Sequence, residues 1–285
     1  AKVVAWNHVG GSGLTVAPDI TDMKQLGGKT VAIPFWYSIH NVVLQQMLAD
    51  SGLTAVSKPA TAALAANEVN LLVLPPSDMP PALASKRIAG YIVAEPFNAL
   101  AENLKVGRVQ RFTADVWRNH ACCVVFMHEH DLNNRPDWSQ KVVNAIVKAQ
   151  QWTREHRAEA AALLSKSGPN KYTPHDPAVL TKVLAPAASD RADYIATGAI
   201  QHQQWDEKRI DFQPYPYPSY TQELVTRLKR TLIEGNNAFL ADLDPAHVAG
   251  DLVDDRFVRN AIASVGGPSV FGIGDSFERS EEFAV

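Results

Sequence analysis

The sequence predicts an α/β fold of two lobes, and three observations lead to this prediction. Between residues 27 and 115, short apolar strands alternate with helices, which is the pattern of a parallel sheet covered by helices. The strand Ala121–Met127 follows this unit, so the chain returns to the part that its first strand began. From Asp176 onward the sequence is mostly helical. We therefore expect an α/β protein with a helix-rich C-terminal part.

The same order predicts how the chain is divided. We expect residues 1–18 and 119–285 to form lobe one, and residues 19–118 to form lobe two. Two crossings between the lobes, near residues 16–19 and 117–120, would act as hinges. A cleft between lobes that are joined in this way can close around a ligand.

The first unit of lobe two has clear start and stop signals. Residues 30–33 form an apolar, β-rich strand, and Pro34 ends it. Ser38 is a favourable N-cap for the helix that follows, whose apolar residues recur at helical spacing. Gly52 stands where a C-terminal glycine cap belongs. The loop 35–40 therefore lies at the carboxyl end of a strand and the amino end of a helix.

The rest of lobe two repeats this alternation. Residues 69–74, 90–93 and 106–112 are predicted strands of the parallel sheet, and residues 95–104 are a predicted helix. The alanine-rich segment 54–67 is predicted to be partly helical.

The C-terminal part is predicted from helical periodicity and proline positions. Between the helices, residues 212–218 alternate proline with aromatic residues, which forces an extended path, and we interpret them as a packed strap across a lobe. The tail after Phe271 is predicted to lie on the surface or to be disordered. The predicted helices begin at Pro136 and cover Pro177–Leu184, 220–233, Pro245–Leu252 and 256–263.

Composition limits the classes of function. The chain has 285 residues, 46% of them hydrophobic, which is enough for the cores of two small lobes. A net charge of −3 gives no electrostatic case for a nucleic-acid partner. No run approaches the roughly 18–20 apolar residues that span a bilayer. Residues 1–6 already read as a strand, so we expect a mature or trimmed chain without a signal peptide.

The only cysteines are Cys122 and Cys123, which are adjacent in a predicted strand. Neighbouring side chains of a strand point to opposite faces, so a disulfide between them would be strained. The pair therefore does not identify the redox compartment. Small, buried, inert side chains are the simplest interpretation of both.

Four segments, 26–53, 90–98, 116–120 and 209–215, carry a family resemblance. The sequence resembles the nitrate/sulfonate/taurine class of solute-binding proteins that serve ABC transporters, nearest the nitrate- and bicarbonate-binding branch. The resemblance implies a type II periplasmic-binding-protein clamshell that captures a small polar, anionic or organic ligand. It also implies an ABC transporter permease as partner, a periplasmic or extracellular location and a monomer.

The resembled family has a β-α-β stretch ahead of what is here Ala1. From this difference we expect the sheet of lobe one to be incomplete, with an exposed edge.

The candidate ligand-binding residues lie in four loops that line the cleft in the resembled family. From the residues alone, loop 35–40 is favoured because ligands of open α/β sheets bind where strands end and helices begin. Free N–H groups at a helix start favour a negative or acceptor-rich ligand. The candidates are Asn7, His8, Ser12, Phe35, Trp36, Ser38, His40, Val93, Ala94, Glu95, Phe97, Trp117, His120 and Cys123.

The resemblance implies roles for some of them. His40 falls on a histidine of the family's Ser-x-His-Asn-type segment, and Ser12 falls near a polar side chain that bonds ligand. Val93 and Ala94 fall where family backbone touches an oxyanion. Cys123 replaces a lysine of the nitrate-binding branch, which disfavours nitrate because a buried anion needs a paired cation. The aromatic candidates favour an organic ligand instead.

Structural alternatives remain for several candidates. His120 is equally well explained as a hydrogen-bonded hinge residue, and Glu95 is better explained as an acid that complements its own helix. Trp36 and Trp117 are as readily core residues. The pair His128 and His130, which flanks Glu129, is interpreted as surface.

Two chemical alternatives also stay open. No cofactor is expected, although His8, His40, His120 and Glu95 keep a divalent cation bound with the ligand as a minor alternative. The sequence has no G-x-S-x-G, P-loop or H-E-x-x-H pattern, so an enzyme is not favoured. The alternative functions are an enzyme on the same scaffold that uses Cys122 or Cys123 with a nearby histidine, and a cytoplasmic ligand sensor.

Overall fold

The structure is a computed structural model that describes residues 1–206 and 208–284. Its two β-sheets contain all the named strands. These are β1 (Lys2–Gly10), β2 (Ser12–Val16), β3 (Lys29–Ile33), β4 (Thr54–Val56), β5 (Glu68–Val73), β6 (Gly90–Ala94), β7 (Arg108–Phe112), β8 (Ala121–Met127) and β9 (Ile210–Asp211).

The described helices follow the strands of each sheet and fill the C-terminal part. They are α1 (Ile39–Asp50), α2 (Met79–Ala84), α3 (Phe97–Asn103), α4 (Glu129–Asn134), α5 (Pro136–Glu155), α6 (Arg157–Leu164), α7 (Pro177–Leu184), α8 (Ala188–Ala196), α9 (Pro218–Leu228), α10 (Pro245–Leu252) and α11 (Arg256–Ser264). The predicted α/β class with a helix-rich C-terminal part is confirmed, whereas α4 and α8 had no counterpart in the predictions.

The larger sheet has six strands in the order β4-β5-β3-β6-β2-β7. Strands β5, β3 and β6 are parallel, as predicted, and β4 joins them in parallel, but β2 pairs antiparallel with both β6 and β7. The prediction that this sheet is entirely parallel is therefore wrong. β2 enters it directly from β1, without a crossover helix, and therefore runs against its neighbours.

The first crossing between the sheets lies at Gly10 and Gly11. Both have positive φ, +60° and +70°, a region that glycine occupies without strain. A Cβ on Gly11 would lie 2.8 Å from Cγ1 of Ile210, so only glycine fits there. This crossing differs from the predicted one at 16–19, because β2, inside the predicted lobe-one segment 1–18, belongs to the six-stranded sheet. The remaining lobe boundaries stay a proposal.

The alanine-rich segment 54–67 is not helical. Its first residues form β4 on β5, and the Asn70 side chain then holds the backbone N–H and C=O of Lys58, at 2.8 and 3.2 Å. The prediction of partial helix is wrong here because strand pairing and this amide clamp outweigh alanine's helical preference.

The smaller sheet has the order β8-β1-β9 and packs against α5 and α11. The strap 212–218 is packed, as predicted: Tyr215 and Tyr217 are buried, and Pro214 O accepts from Trp6 N at 2.7 Å. The tail is not loose. The Phe283 ring lies 4.7 Å from that of Trp117, and Ala284 N donates to Val116 O at 2.8 Å, so the tail is not disordered. The alternative that it lies on the surface holds for residues 274–276, which are exposed.

Among the described residues, the helices are too short or too polar for any of them to cross a bilayer.

Candidate functional site

Irregular pairing between β1 and β8 shapes the centre of the site. Trp6 pairs with Val124, His8 with Cys123 and Val9 with Ala121, so Asn7 and Cys122 have no direct partner. Such bulges twist a strand and re-aim side chains. The two sulfur atoms consequently lie 3.9 Å apart. The prediction that adjacent cysteines point to opposite faces is therefore wrong at this point of the strand.

Side chains from both sheets meet beside this bulge. The Ser12 hydroxyl, on β2, lies 2.9 Å from Nε2 of His40 in the first turn of α1. The same hydroxyl lies 3.2 Å from Sγ of Cys122, on β8, and that sulfur is 3.8 Å from His40 Nε2. Ser12 therefore links the two sheets through one polar contact, next to the Gly10–Gly11 crossing.

His8 completes this group, which we call the cleft cluster: His8, Ser12, His40, Cys122 and Cys123. One ligand-competent atom of each of His8, Cys122 and Cys123 lies within 4.8 Å of the other two. Nδ1 of His8 and Nδ1 of His40 are buried and form no hydrogen bond within the described residues. The cluster therefore retains unused hydrogen-bonding capacity, which is uncommon for buried polar atoms.

Burial keeps the histidines of this region neutral. It lowers the pKa of His40 from 6.5 to about 3, and nearby His120 and His8 add to the effect. Burial likewise lowers the pKa of His120 to about 4. The pKa of the Cys123 thiol is lowered by hydrogen bonds with Cys122 and His8. At neutral pH the cluster thus offers the uncharged imidazole of His40 and the acidic thiol of Cys123.

His120 lies beside the first crossing between the two sheets. Its Nε2 lies 2.7 Å from Oγ1 of Thr113, and that hydroxyl donates to Ser12 O at 3.1 Å. His120 O accepts from Gly10 N at 3.0 Å. These bonds match the hinge alternative for His120. Thr113 was not among the predicted residues, because its role depends on this contact between distant segments.

Glu95 lies in a buried ion-pair network, away from the cleft cluster. Its carboxylate accepts from Arg209 Nε at 2.7 Å and from Ala99 N, in the first turn of α3, at 3.1 Å. Arg209 also contacts Glu102, whose carboxylate accepts from the Tyr194 hydroxyl at 2.9 Å. The Glu95 side chain therefore already has its partners, including the helix N–H of the structural alternative.

The aromatic candidates do not gather at the cleft cluster. Phe35 is 57% exposed, and Trp36 is half-buried against the core. Trp117 is buried among Tyr220 and Phe283, with Nε1 donating to Glu281. Phe97 packs edge-on to His175. The expectation of an aromatic wall has no support from these positions.

The remaining candidates have mainly backbone or capping contacts. Ser38 caps α1, as predicted: its hydroxyl accepts from Asn41 N and donates to Phe35 O. Asn7 is exposed, and its carbonyl accepts from Gln150 Nε2. Val93 and Ala94 pair with Gly13 and Ser12 in the antiparallel ladder.

The surface triplet lies where it was expected. His128, Glu129 and His130 are exposed, and His128 Nδ1 accepts from His130 N as the N-cap of α4.

A separate cavity of about 320 Å³ borders the Arg209 network, with Arg209 itself in its lining. Phe112, Val183 and Tyr194 are among its lining residues, and it contains none of the predicted ligand-binding residues. The cleft cluster is thus distinguished by its chemistry rather than by an enclosed volume.

Comparison with known proteins places this architecture. The chain is 23% identical over 219 residues to the nitrate/nitrite binding protein NrtA of Synechocystis. The matched region covers 75% of this chain and 46% of that protein. It spans less than half of the length of each curated NrtA protein that it matches.

Two solved structures are similar in fold. The periplasmic nitrate-binding protein NrtA from Synechocystis superposes with a TM-score of 0.72 at 18% identity, over 99% of this chain and 72% of that one. A ligand-binding component of an ABC-type import system from Staphylococcus aureus, solved with zinc bound, gives a TM-score of 0.64 at 22% identity. This second likeness covers 91% of this chain and 74% of that one. The predicted two-lobe periplasmic-binding-protein fold is confirmed.

A family model matches residues 2–166, which is more than half of the chain and includes every member of the cleft cluster. The chain therefore belongs to the NMT1-like family.

Proposed function

We propose that this chain is the solute-binding component of an ABC importer and captures a small ligand at the cleft cluster. The observation that carries the proposal is the meeting of Ser12 and His40, from the six-stranded sheet, with Cys122, from the three-stranded sheet. A ligand held here contacts both sides of the crossing, so its binding favours one arrangement of the lobes over others.

The mechanism is capture by closure, without bond formation or cleavage. The ligand takes over polar contacts that Ser12, Cys122 and His40 now make with one another, and it uses the unpaired nitrogens of His8 and His40. Gly10 and Gly11 absorb the backbone rotation at the first crossing. The closed form is then presented to a membrane permease.

The ligand class follows from the charge of the cluster. Burial keeps His40 neutral, and no lysine or arginine of the described residues forms a hydrogen bond or ion pair with the side chains of the cluster. A fully desolvated anion would lack a paired cation here. The cluster therefore suits a small polar organic molecule, or an anion that keeps part of its hydration and faces the start of α1.

The partner and compartment are proposed by analogy. The structural relatives are, by name, a periplasmic nitrate-binding protein and a component of an ABC-type import system. A permease in a membrane and a periplasmic or extracellular location are the corresponding proposals for this chain. Nitrate itself is not favoured. Cys123 stands where the nitrate-binding branch of the resembled solute-binding proteins has a lysine.

Thermal stability against a ligand panel tests the proposal. The panel contains nitrate, bicarbonate with and without Ca²⁺, taurine, alkane- and arylsulfonates, pyrimidines, flavins and small aromatic acids. A ligand at 100 times its dissociation constant stabilises the protein by about 2.7 kcal/mol, and we expect His40→Ala to abolish the shift. The exposed His130→Ala variant, the matched control, should keep it. A shift of equal size in both variants would place the site elsewhere.

A further inference from the structure

We propose that His8, Cys122 and Cys123 form a binding site for one thiophilic metal ion of the Zn²⁺ class. This inference goes beyond the proposed function, since it concerns an ion held by protein side chains in place of a transported solute. Two thiolates and an imidazole are the ligand set that soft and borderline ions prefer.

The distances fit a tetrahedral ion. Zn–S bonds of about 2.3 Å at tetrahedral angles place two sulfur atoms roughly 3.8 Å apart, and a sulfur and an imidazole nitrogen roughly 3.6 Å apart. The sulfur atoms of Cys122 and Cys123 are 3.9 Å apart, too far for a disulfide and close to this value. The His8 nitrogen and both sulfurs all lie within 4.8 Å of one another. Small side-chain adjustments would thus bring all three onto one ion.

The strand irregularity produces this juxtaposition. Strand β1 places His8 directly opposite Cys123, and the unpaired Cys122 has its sulfur on the same side. A regular antiparallel pair would put Cys122 on the opposite face of the sheet. The bulge therefore creates a three-ligand group from residues that a regular ladder would separate.

Neighbouring groups hold these ligands in place. The Ser12 hydroxyl lies 3.2 Å from Cys122 Sγ, where it can donate to a thiolate. A Cβ on Gly11 would come to 3.0 Å from His8 Nδ1, so the absent side chain at Gly11 leaves room for the ring. Outer contacts of this kind orient metal ligands and tune their basicity.

The site also has a way in and a free position. Cys123 is exposed and Cys122 and His8 are half-buried, so an ion reaches the group from solvent. Three protein ligands leave the fourth tetrahedral position for water or for an exchangeable donor. His128 and His130 are an exposed pair of histidines with no cysteine beside them, and they serve as an internal control.

Equilibrium dialysis of the reduced full chain against buffered Zn²⁺, followed by metal analysis, tests the site. We expect one Zn²⁺ per chain, and at least tenfold weaker binding in His8→Ala and in Cys123→Ser. The His128→Ala/His130→Ala double variant should bind as the wild type does. Circular dichroism verifies that each variant is folded before its binding is compared.

Substitution with Co²⁺ provides an independent readout. Binding at the proposed site gives thiolate-to-Co²⁺ charge-transfer absorption and the d–d bands of a tetrahedral ion, and both vanish in Cys122→Ser/Cys123→Ser. The inference is overturned if the reduced wild type binds no Zn²⁺, if the double cysteine variant binds it unchanged, or if the His128/His130 variant loses it.

Discussion

Two polar clusters lie next to β2 and β6, and they differ in how completely their hydrogen bonds are made. In the Arg209 network, the guanidinium contacts Glu95, Glu102 and Tyr194, and the Glu95 and Arg209 side chains are only 2% and 3% exposed. In the cleft cluster, buried nitrogens of His8 and His40 form no hydrogen bond within the described residues. The first cluster is complete without a ligand, whereas the second has capacity left for one.

This difference in hydrogen bonding indicates which polar residues of the cleft region are structural. A buried charge without a partner is costly, so the Arg209 network must be closed within the protein. The uncharged imidazole of His40 carries a smaller penalty, so it can remain partly unpaired until an external partner binds. Its charge alone would favour Glu95 as a ligand-binding residue. Its hydrogen bonds with Arg209 and Ala99 instead indicate a structural role.

The largest expected effect comes from breaking the complete cluster. Arg209→Met leaves the carboxylates of Glu95 and Glu102 buried without their cation, so we expect the free energy of unfolding to fall by about 3–5 kcal/mol. Urea denaturation measures it. Arg256→Met removes an exposed ion pair with Asp254 and should cost no more than about 1 kcal/mol. Equal losses of unfolding free energy in the two variants would contradict the view that the buried Arg209 network is essential to the fold.

Acidification has the next largest expected effect on stability, because it acts on the buried histidines. The pKa of His40 is about 3 and that of His120 about 4 in the folded chain, below the ordinary 6.5 of the unfolded chain. Between pH 7 and 5 the unfolded state therefore binds more protons, and stability falls as pH falls. We expect a loss of about 2 kcal/mol for each histidine over this interval.

Urea denaturation at both pH values measures this loss. His40→Gln should make the loss of unfolding free energy between pH 7 and 5 smaller by about 2 kcal/mol, the contribution of one buried histidine. Substitution of the exposed His130 should leave that loss unchanged. An unaltered pH dependence in His40→Gln would show that His40 titrates normally.

A smaller effect is expected from Ser12→Ala. The substitution removes the hydroxyl that bridges His40 and Cys122, so we expect about 1 kcal/mol of lost stability. Thermal unfolding measures it, with Ser219→Ala, which loses a half-buried contact to Glu281, as a comparison. A loss as large as that of Arg209→Met would mean that the cleft cluster is as structural as the ion-pair network.

The last prediction concerns reactivity rather than stability. Since hydrogen bonds lower the pKa of the Cys123 thiol and Cys122 is less exposed, iodoacetamide should alkylate Cys123 first near pH 7. Peptide mass spectrometry over time measures the order. Faster labelling of Cys122 would contradict the assignment of the acidic thiol.

Local signals predicted much of the fold. Pro136, Pro177 and Pro245 begin α5, α7 and α10 as expected, and Ser38 caps α1. These features depend on neighbouring residues, which a single sequence displays.

Long-range pairing escaped prediction. That β2 inserts between β6 and β7, and that Phe283 packs on Trp117, depends on contacts between distant segments. The cleft cluster was predicted in part: His8, Ser12, His40 and Cys123 were among the ligand-binding candidates. Cys122 was absent from that set because only the bulge turns it toward the others.

Calorimetric titration of a ligand found in the panel most directly tests capture between the two sheets. Ser12→Ala alters the six-stranded side of the site and Cys122→Ala alters the three-stranded side. We predict that each weakens binding at least tenfold, because the ligand contacts both sides. Full affinity in either variant would contradict the account, since the ligand would then be held by one lobe alone.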